Sequence, residues 1–532
     1  MKDTLLPALA IALALSCPTA AQIKGPSTGS SPYLLPTQPY VSTYSIITTD
    51  NTGAVPDDNI GGYGLAGIPD GLGAYDNGDG TFTLLVNHEL SSGSGIVRAH
   101  GAAGAFVSAW VISKSNFAVI SGTDLMRRVF TWNSTTQRSN TTATTVAFSR
   151  FCSGDLAAPT AFYNSGSGLG STARIYLHGE EGSSNGYQLG TVATGASKGN
   201  SYVLGKFNLS TNGSGNSGLG SWENALANPY AQNKTIVIGN NDGGSGIMNN
   251  AIAVYVGTKS NVGSEVDKAG LTNGTTKFIR ITGNPAEVVN ATTRATNIAS
   301  GTPFTLSSTA STTFSRPEDG AWNTIDAKQY YFVTTDVFNE VADRLGTQIG
   351  RSRLWRLNFT DLTNPDAGGT IDLLLDGTEG QNMFDNLTVS PDGSVFLEED
   401  VGSSPHNDKV WKYNPVADTL AQVLKHDPAR FGDLSTAATF PFTTDEEASG
   451  IIDISSIMGV NGGTDQWLIS TDQAHYTSGI SAAQVEGGQL FAIHVTPEPT
   501  TALSLVIGAG LLLARHRHRM PSVGAVAAGR AP

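Results

Sequence analysis

The chain has 532 residues, of which 62 are glycine and only 14% are charged, enough for one large all-β domain or two ordinary ones. Lys and Arg number 31 against 45 Asp and Glu, a net charge of -14. That balance excludes nucleic acid as the expected partner and suits a surface that holds cations.

Residues 1–21 have the charged start (Met1-Lys2-Asp3), apolar stretch (Leu5 to Leu15) and small-residue exit (Thr19-Ala20-Ala21) of a secretory signal peptide. They carry no twin-Arg pair, so export through the general secretory route is expected, to the periplasm, outer surface or extracellular matrix of a Gram-negative cell. Cleavage near Ala21 removes Cys17 and leaves Cys152 as the one thiol of the mature chain. An exported protein has no disulfide use for a lone cysteine. It is a small buried hydrophobe, a reactive group or a ligand.

From 22 to 495 the sequence alternates short runs of Val, Ile, Tyr, Phe and Thr with Gly, Asn, Asp and Ser turns, and holds no long 3.6-residue period. The expected class is all-β. One phrase recurs: a strand with a polar or acidic end, a variable loop, then a second apolar strand. The copies are Thr81 to Glu89 with Ala105 to Ser113, Ala173 to Glu181 with Tyr202 to Leu209, and Ala251 to Thr258 with Lys277 to Thr282. They continue with Gln329 to Asp336 and Arg353 to Phe359, Ser394 to Asp400 and Lys409 to Tyr413, and Gln466 to Gln473 and Gln489 to Val495. A second phrase opens several units at Pro69-Asp70, Pro317-Glu318, Phe384-Asp385 and Glu447. Units that cannot bury both faces alone are the mark of radial repetition, and they predict a six-bladed β-propeller with long loop insertions. A β-helix or a two-sheet sandwich is the alternative.

A propeller gathers equivalent positions around its axis. Here those positions are rich in carboxylates: Glu89, Glu180, Glu181, Glu318, Asp319, Asp385, Glu398, Glu399, Asp400, Glu446 and Glu447. Crowded anions repel one another and lose solvation, so cations are the economical way to hold them. Oxygen donors suit Ca²⁺, whereas a thiolate at Cys152 points to a transition metal, iron or zinc. His88, His178, His406 and His475 read as loop or core groups, with Asp472 and His475 kept as further calcium or supporting positions.

The C-terminal run Thr496-Pro497-Glu498-Pro499, apolar Thr501 to Ala514 and basic Arg515 to Arg519 is too short to span a bilayer stably. It resembles a PEP-CTERM sorting tail (496–519, with an extension over 520–532). The resemblance implies transient membrane contact through the tail and association with an exopolysaccharide matrix.

Asn87-His88-Glu89 after a strand, Cys152 followed by Glu180-Glu181, Arg316-Pro317-Glu318, and Asp385-Asn386 leading to Glu399-Asp400 occur in the order found in PhoX-type alkaline phosphatases, which the chain resembles. The resemblance implies a propeller funnel holding ferric (Fe³⁺) and calcium ions and hydrolysing a small phosphoester. It implies Cys152 and Glu318 as iron ligands, one of Glu180 and Glu181 beside them with the other toward calcium, Glu89 as a calcium or bridging ligand, and Arg316 as a bidentate phosphate clamp. The second reading is a non-catalytic, calcium-stabilised propeller of the cell surface that binds polysaccharide or protein.

Overall fold

β-Branched and aromatic residues alternating with turn formers build mostly antiparallel meanders in the computed structural model, which describes residues 20–49, 60–181, 186–207, 220–243, 248–460 and 465–497. The expected signal segment up to residue 19 and nearly all of the expected tail, from 498 on, lie outside the described residues. Among the described residues, helices are confined to single turns such as Pro159–Phe162 and Glu265–Lys268.

Six strands lie innermost: β1 (Pro69–Asp76), β2 (Phe151–Asp155), β3 (Trp222–Ala227), β4 (Gly320–Trp322), β5 (Phe384–Val389) and β6 (Glu446–Asp453). Each touches the next, and β6 touches β1, so they close a ring in a propeller-like arrangement. From β1 the chain steps outward through Thr81–His88, Phe106–Ser113 and Val119–Asp124. The sheet of β6 runs outward through Gln466–Ala474 and Gly487–Val495 to Val41–Thr49, paired from Val41 with Val495 to Thr49 with Gly488. An early strand thus completes the last sheet and ties the ring shut.

The expected six blades are not six separate sheets. Those of β1, β2, β5 and β6 are separate, with four or five strands each. β3 and β4 instead share one nine-stranded sheet, because Thr302–Ser307 bonds to both Thr275–Ile281 and Gly369–Leu375. The long insertion after Ile281 supplies this joining strand. The repeat phrase also slips in two places: Gln188–Val192 intervenes between Ile175–Glu180 and Asn200–Val203, and Lys234–Asn241 precedes Ile252–Thr258.

Hydrophobic layers fill the spaces between successive sheets; Ile175, Leu177, Trp222, Val237 and Tyr255 form part of one. At the axis the packing is backbone on backbone. A Cβ on Gly71 would stand 2.3 Å from the Gly154 nitrogen, and one on Gly450 2.4 Å from the Asp70 oxygen. Glycine alone permits that approach, and it draws the starts of β1, β2 and β6 together.

Candidate metal centre

Because inner strands begin at the same end of the ring, their first residues converge. Asp70 opens β1, Cys152 β2, Glu223 β3, Asp385 β5 and Glu447 β6, while Glu318 lies two residues before β4. The neighbouring strands contribute their ends: Glu89 follows Thr81–His88, Glu181 follows Ile175–Glu180, and Asp400 follows Val395–Glu399. These side chains line a cavity of about 40 Å³ together with Arg150 and Arg316, eight carboxyl groups against two guanidinium groups. The space is enough for one or two water-sized occupants.

Three sets of potential ligand atoms each fall within 4.8 Å of one another: Asp70, Glu89 and Cys152; Cys152, Glu181 and Glu223; Glu223, Glu318 and Asp385. Cys152 and Glu223 are shared between sets, so the three form a continuous strip. The Cys152 thiol points at Glu181 Oε2, 3.5 Å away. Its backbone is fixed by Asn87, whose Nδ2 donates to the carbonyl oxygens of Cys152 (2.6 Å) and Ser153 (3.1 Å). Gln473 Nε2 donates to Glu89 Oε2 (2.9 Å) and Glu447 Oε1 (3.1 Å). Arg150 pairs with Glu89 (2.7 Å) and Glu181 (2.5 Å); Arg316 pairs with Glu318 (2.6 Å) and Asp242 (3.3 Å).

Burial first, and mutual repulsion second, push Asp70, Glu223, Glu318, Asp385 and Glu447 well above the usual carboxylate range. Glu181 is pushed up to about 8, chiefly by burial. Burial and the adjacent Glu223, Glu89 and Glu181 raise the Cys152 thiol, against the pull of Arg150. Two arginines do not neutralise such a strip. It either keeps its protons or takes cations, and the donor set of hard oxygens with one sulfur fits calcium together with a sulfur-tolerant transition ion.

Of the residues expected here, Cys152, Glu89, Glu181, Glu318, Asp385, Asp400, Glu447 and Arg316 meet at the cavity. Others are directed elsewhere by strand alternation. Glu180 accepts the backbone N–H groups of Ser149 (2.8 Å) and Tyr187 (3.2 Å). Glu399 accepts from Asn382 N (2.8 Å), Lys409 Nζ (3.0 Å) and Trp411 Nε1 (2.8 Å). His475 pairs with Glu486 at 2.9 Å. Glu446 and Asp472 belong to a second buried group with Asp408 and His426. The expectation that Glu180, Glu399 and Glu446 join the funnel is therefore corrected, and Asp472 and His475, expected as calcium or supporting positions, lie outside the cavity lining. Sequence reasoning missed Glu223, Arg150 and Asp242 as site residues, and saw Asp70 only as the opening of a repeat phrase. The signal for Glu223 was the same strand-opening carboxylate, hidden by the slipped repeat frame.

No protein-family model and no curated protein matches the sequence. Among solved structures, the chain is similar to Pseudomonas fluorescens PhoX in complex with vanadate, a transition state analogue, with a TM-score of 0.52 and 12% identity over 87% of this chain and 96% of that one. The fold is PhoX-like. A putative 6-phosphogluconolactonase from Bacteroides uniformis aligns with a TM-score of 0.30 and 10% identity over 77% of this chain and all of the other (100%). A glycosyl hydrolase from Bacteroides ovatus gives 0.28 and 10%, over 68% and 88%.

Proposed function

We propose that this chain is an exported, metal-dependent phosphoester hydrolase of the PhoX kind, acting on phosphomonoesters in the axial funnel. The nine-stranded sheet then counts as two blades joined through Thr302–Ser307, which makes six in all. The observation that carries the reading is the continuous ligand strip through Cys152 and Glu223, with a guanidinium at each end. A calcium-only scaffold requires neither the thiol nor the arginines.

In this reading Glu223, Glu318 and Asp385 would hold a cation at one end of the strip, and Cys152, with Asp70 and Glu89 or with Glu181 and Glu223, would hold the softer ion. Bound cations supply Lewis-acid polarisation of the phosphoryl oxygens. Arg316 provides a fixed positive charge for the transferring group, aimed by a left-handed backbone (φ 55°) that a non-glycine residue adopts only when its surroundings impose it. Glu318 and Asp242 orient its guanidinium from the buried side. Gln473 holds Glu89 and Glu447 at a fixed separation.

The test is to purify the chain, measure bound iron and calcium, and assay p-nitrophenyl phosphate hydrolysis at alkaline pH beside Cys152→Ser and Glu318→Gln. The expected result is both metals bound and activity lost in each variant. Calcium without iron, and turnover no higher than that of the variants, would sink the enzyme reading.

A further inference from the structure

Arg150 and Arg316 both pair with funnel carboxylates, yet their surroundings differ. Arg316 is 20% exposed, and its partners Glu318 and Asp242 are 2% and 1% exposed. Arg150 is 48% exposed, and its guanidinium bridges Glu89 Oε1 at 2.7 Å and Glu181 Oε2 at 2.5 Å. These two carboxylates flank the Cys152 thiol and belong to two different ligand sets. Arg150 also sits in the left-handed region (φ 51°) immediately before β2, which commits its side chain to this edge of the funnel.

Glu89 belongs to the set with Asp70 and Cys152, and Glu181 to the set with Cys152 and Glu223; a calcium ion in either set needs that carboxylate's oxygen at about 2.3–2.6 Å. The guanidinium already stands on those same oxygens. We infer that Arg150 is an internal counter-ion: it holds the Glu89 and Glu181 carboxylates that the two neighbouring ligand sets offer a cation, and it swings out to the funnel mouth when a divalent ion binds either set. The side chain is long and half in solvent, so withdrawal disturbs no packed layer. Once withdrawn, the guanidinium has lost both carboxylate partners at the entrance to the cavity, where a phosphoryl group enters. Cation loading and anion binding are then coupled through one side chain. This inference rests on the cation-binding part of the proposed function.

The experiment uses the full chain, stripped of divalent ions, in phosphate-free buffer, with Ca²⁺ alone as the probe. Phenylglyoxal modification is followed residue by residue by peptide mass spectrometry, and Ca²⁺ affinity by calorimetry. Arg150 should be modified several-fold faster after Ca²⁺ is added, with Arg316 unchanged. Arg150→Gln should bind Ca²⁺ about tenfold more tightly than the wild type, since the ion no longer displaces a bound charge. Equal reactivity with and without Ca²⁺, or equal or weaker affinity in a variant that melts cooperatively, overturns the inference. If Arg150 responds as expected but the loaded protein hydrolyses no phosphoester, the activity fails and the counter-ion role stands. If hydrolysis is present and Arg150 does not respond, the reverse holds.

Discussion

Two of the buried acidic groups among the described residues solve the same electrostatic problem differently. In the funnel, eight carboxyl groups and a thiol surround a cavity with two arginines. At the seam between the sheets of β5 and β6, Asp408, His426 and Asp472 are 0% exposed and Glu446 is 2% exposed. There the counter-charge is internal: His426 Nε2 lies 2.6 Å from Asp472 Oδ2, with the ring edge-on to Phe431 at a 5.0 Å centroid separation. Burial is the largest single influence and would lower the His426 pKa, but Asp472, Glu446 and the Asp408 backbone together outweigh it and hold the imidazole above its ordinary value. Glu446 and Glu447 are adjacent in β6, and strand alternation sends one to each group. The seam carries its cation as a side chain, whereas the funnel leaves room for one from outside.

The largest expected contrast is in turnover. Glu223→Gln or Asp385→Asn should lower kcat/KM for p-nitrophenyl phosphate by roughly 100-fold, the scale of removing one electrostatic contact from a reacting centre. Asp472→Asn, assayed where the protein remains folded, should stay within a few-fold of wild type. Equal losses in all three variants would erase the distinction between the groups.

Stability should differ in sign. Asp472→Asn removes the carboxylate that partners the buried His426 ring and is expected to cost about 3–5 kcal/mol in chemical denaturation, with or without calcium. Glu223→Gln removes one member of a mutually repelling set, so the ion-free protein should become more stable and the calcium-loaded protein less stable. A destabilisation of the ion-free protein by Glu223→Gln would place the two groups in one class.

The pH dependence of the ion-free protein sharpens the same point. Burial pushes Glu181 up to about 8 from its ordinary 4.5, and Glu223, Glu318 and Asp385 shift in the same direction. Folded carboxyls with raised pKa values bind more protons than unfolded ones, so their stability is full below about 4.5 and is lost as the pH rises toward 8. Melting temperature without calcium should fall across that window, and saturating calcium should flatten the fall. An ion-free protein whose melting temperature rises from pH 5 to 8 would contradict the crowded-anion account.

The strand character, the radial repeat and much of the funnel were readable in the sequence because turn residues, period and strand-end acids are local properties. Asp385 and Glu447 open strands in the repeat phrase, and Cys152 is singled out by its solitude. Glu223 was not readable, because the phrase beginning at Ala251 is one strand out of step and leaves Lys234–Asn241 unassigned. The fusion of two blades through Thr302–Ser307 depends on a pairing between distant segments, which no local pattern encodes. Whether a given acid in Glu398-Glu399-Asp400 faces the axis depends on a one-residue register, and there the structure sends Glu398 to Ser470, Glu399 to Lys409 and Trp411, and Asp400 to the funnel.

The smallest contrast separates two adjacent residues. Glu180 terminates a strand and accepts two backbone N–H groups, while Glu181 faces the thiol and Arg150. Glu180→Gln keeps an acceptor oxygen and loses the charge that strengthens both bonds, so it should cost about 1 kcal/mol in denaturant unfolding. It should leave calcium stoichiometry untouched. Glu181→Gln should do the opposite, lowering the number or affinity of bound ions by calorimetry while changing ion-free stability little or favourably, since a raised carboxyl is replaced by a neutral amide. If Glu180→Gln also lost calcium, the alternation argument would fail at this position, and the pair would act as one bidentate edge of the metal centre.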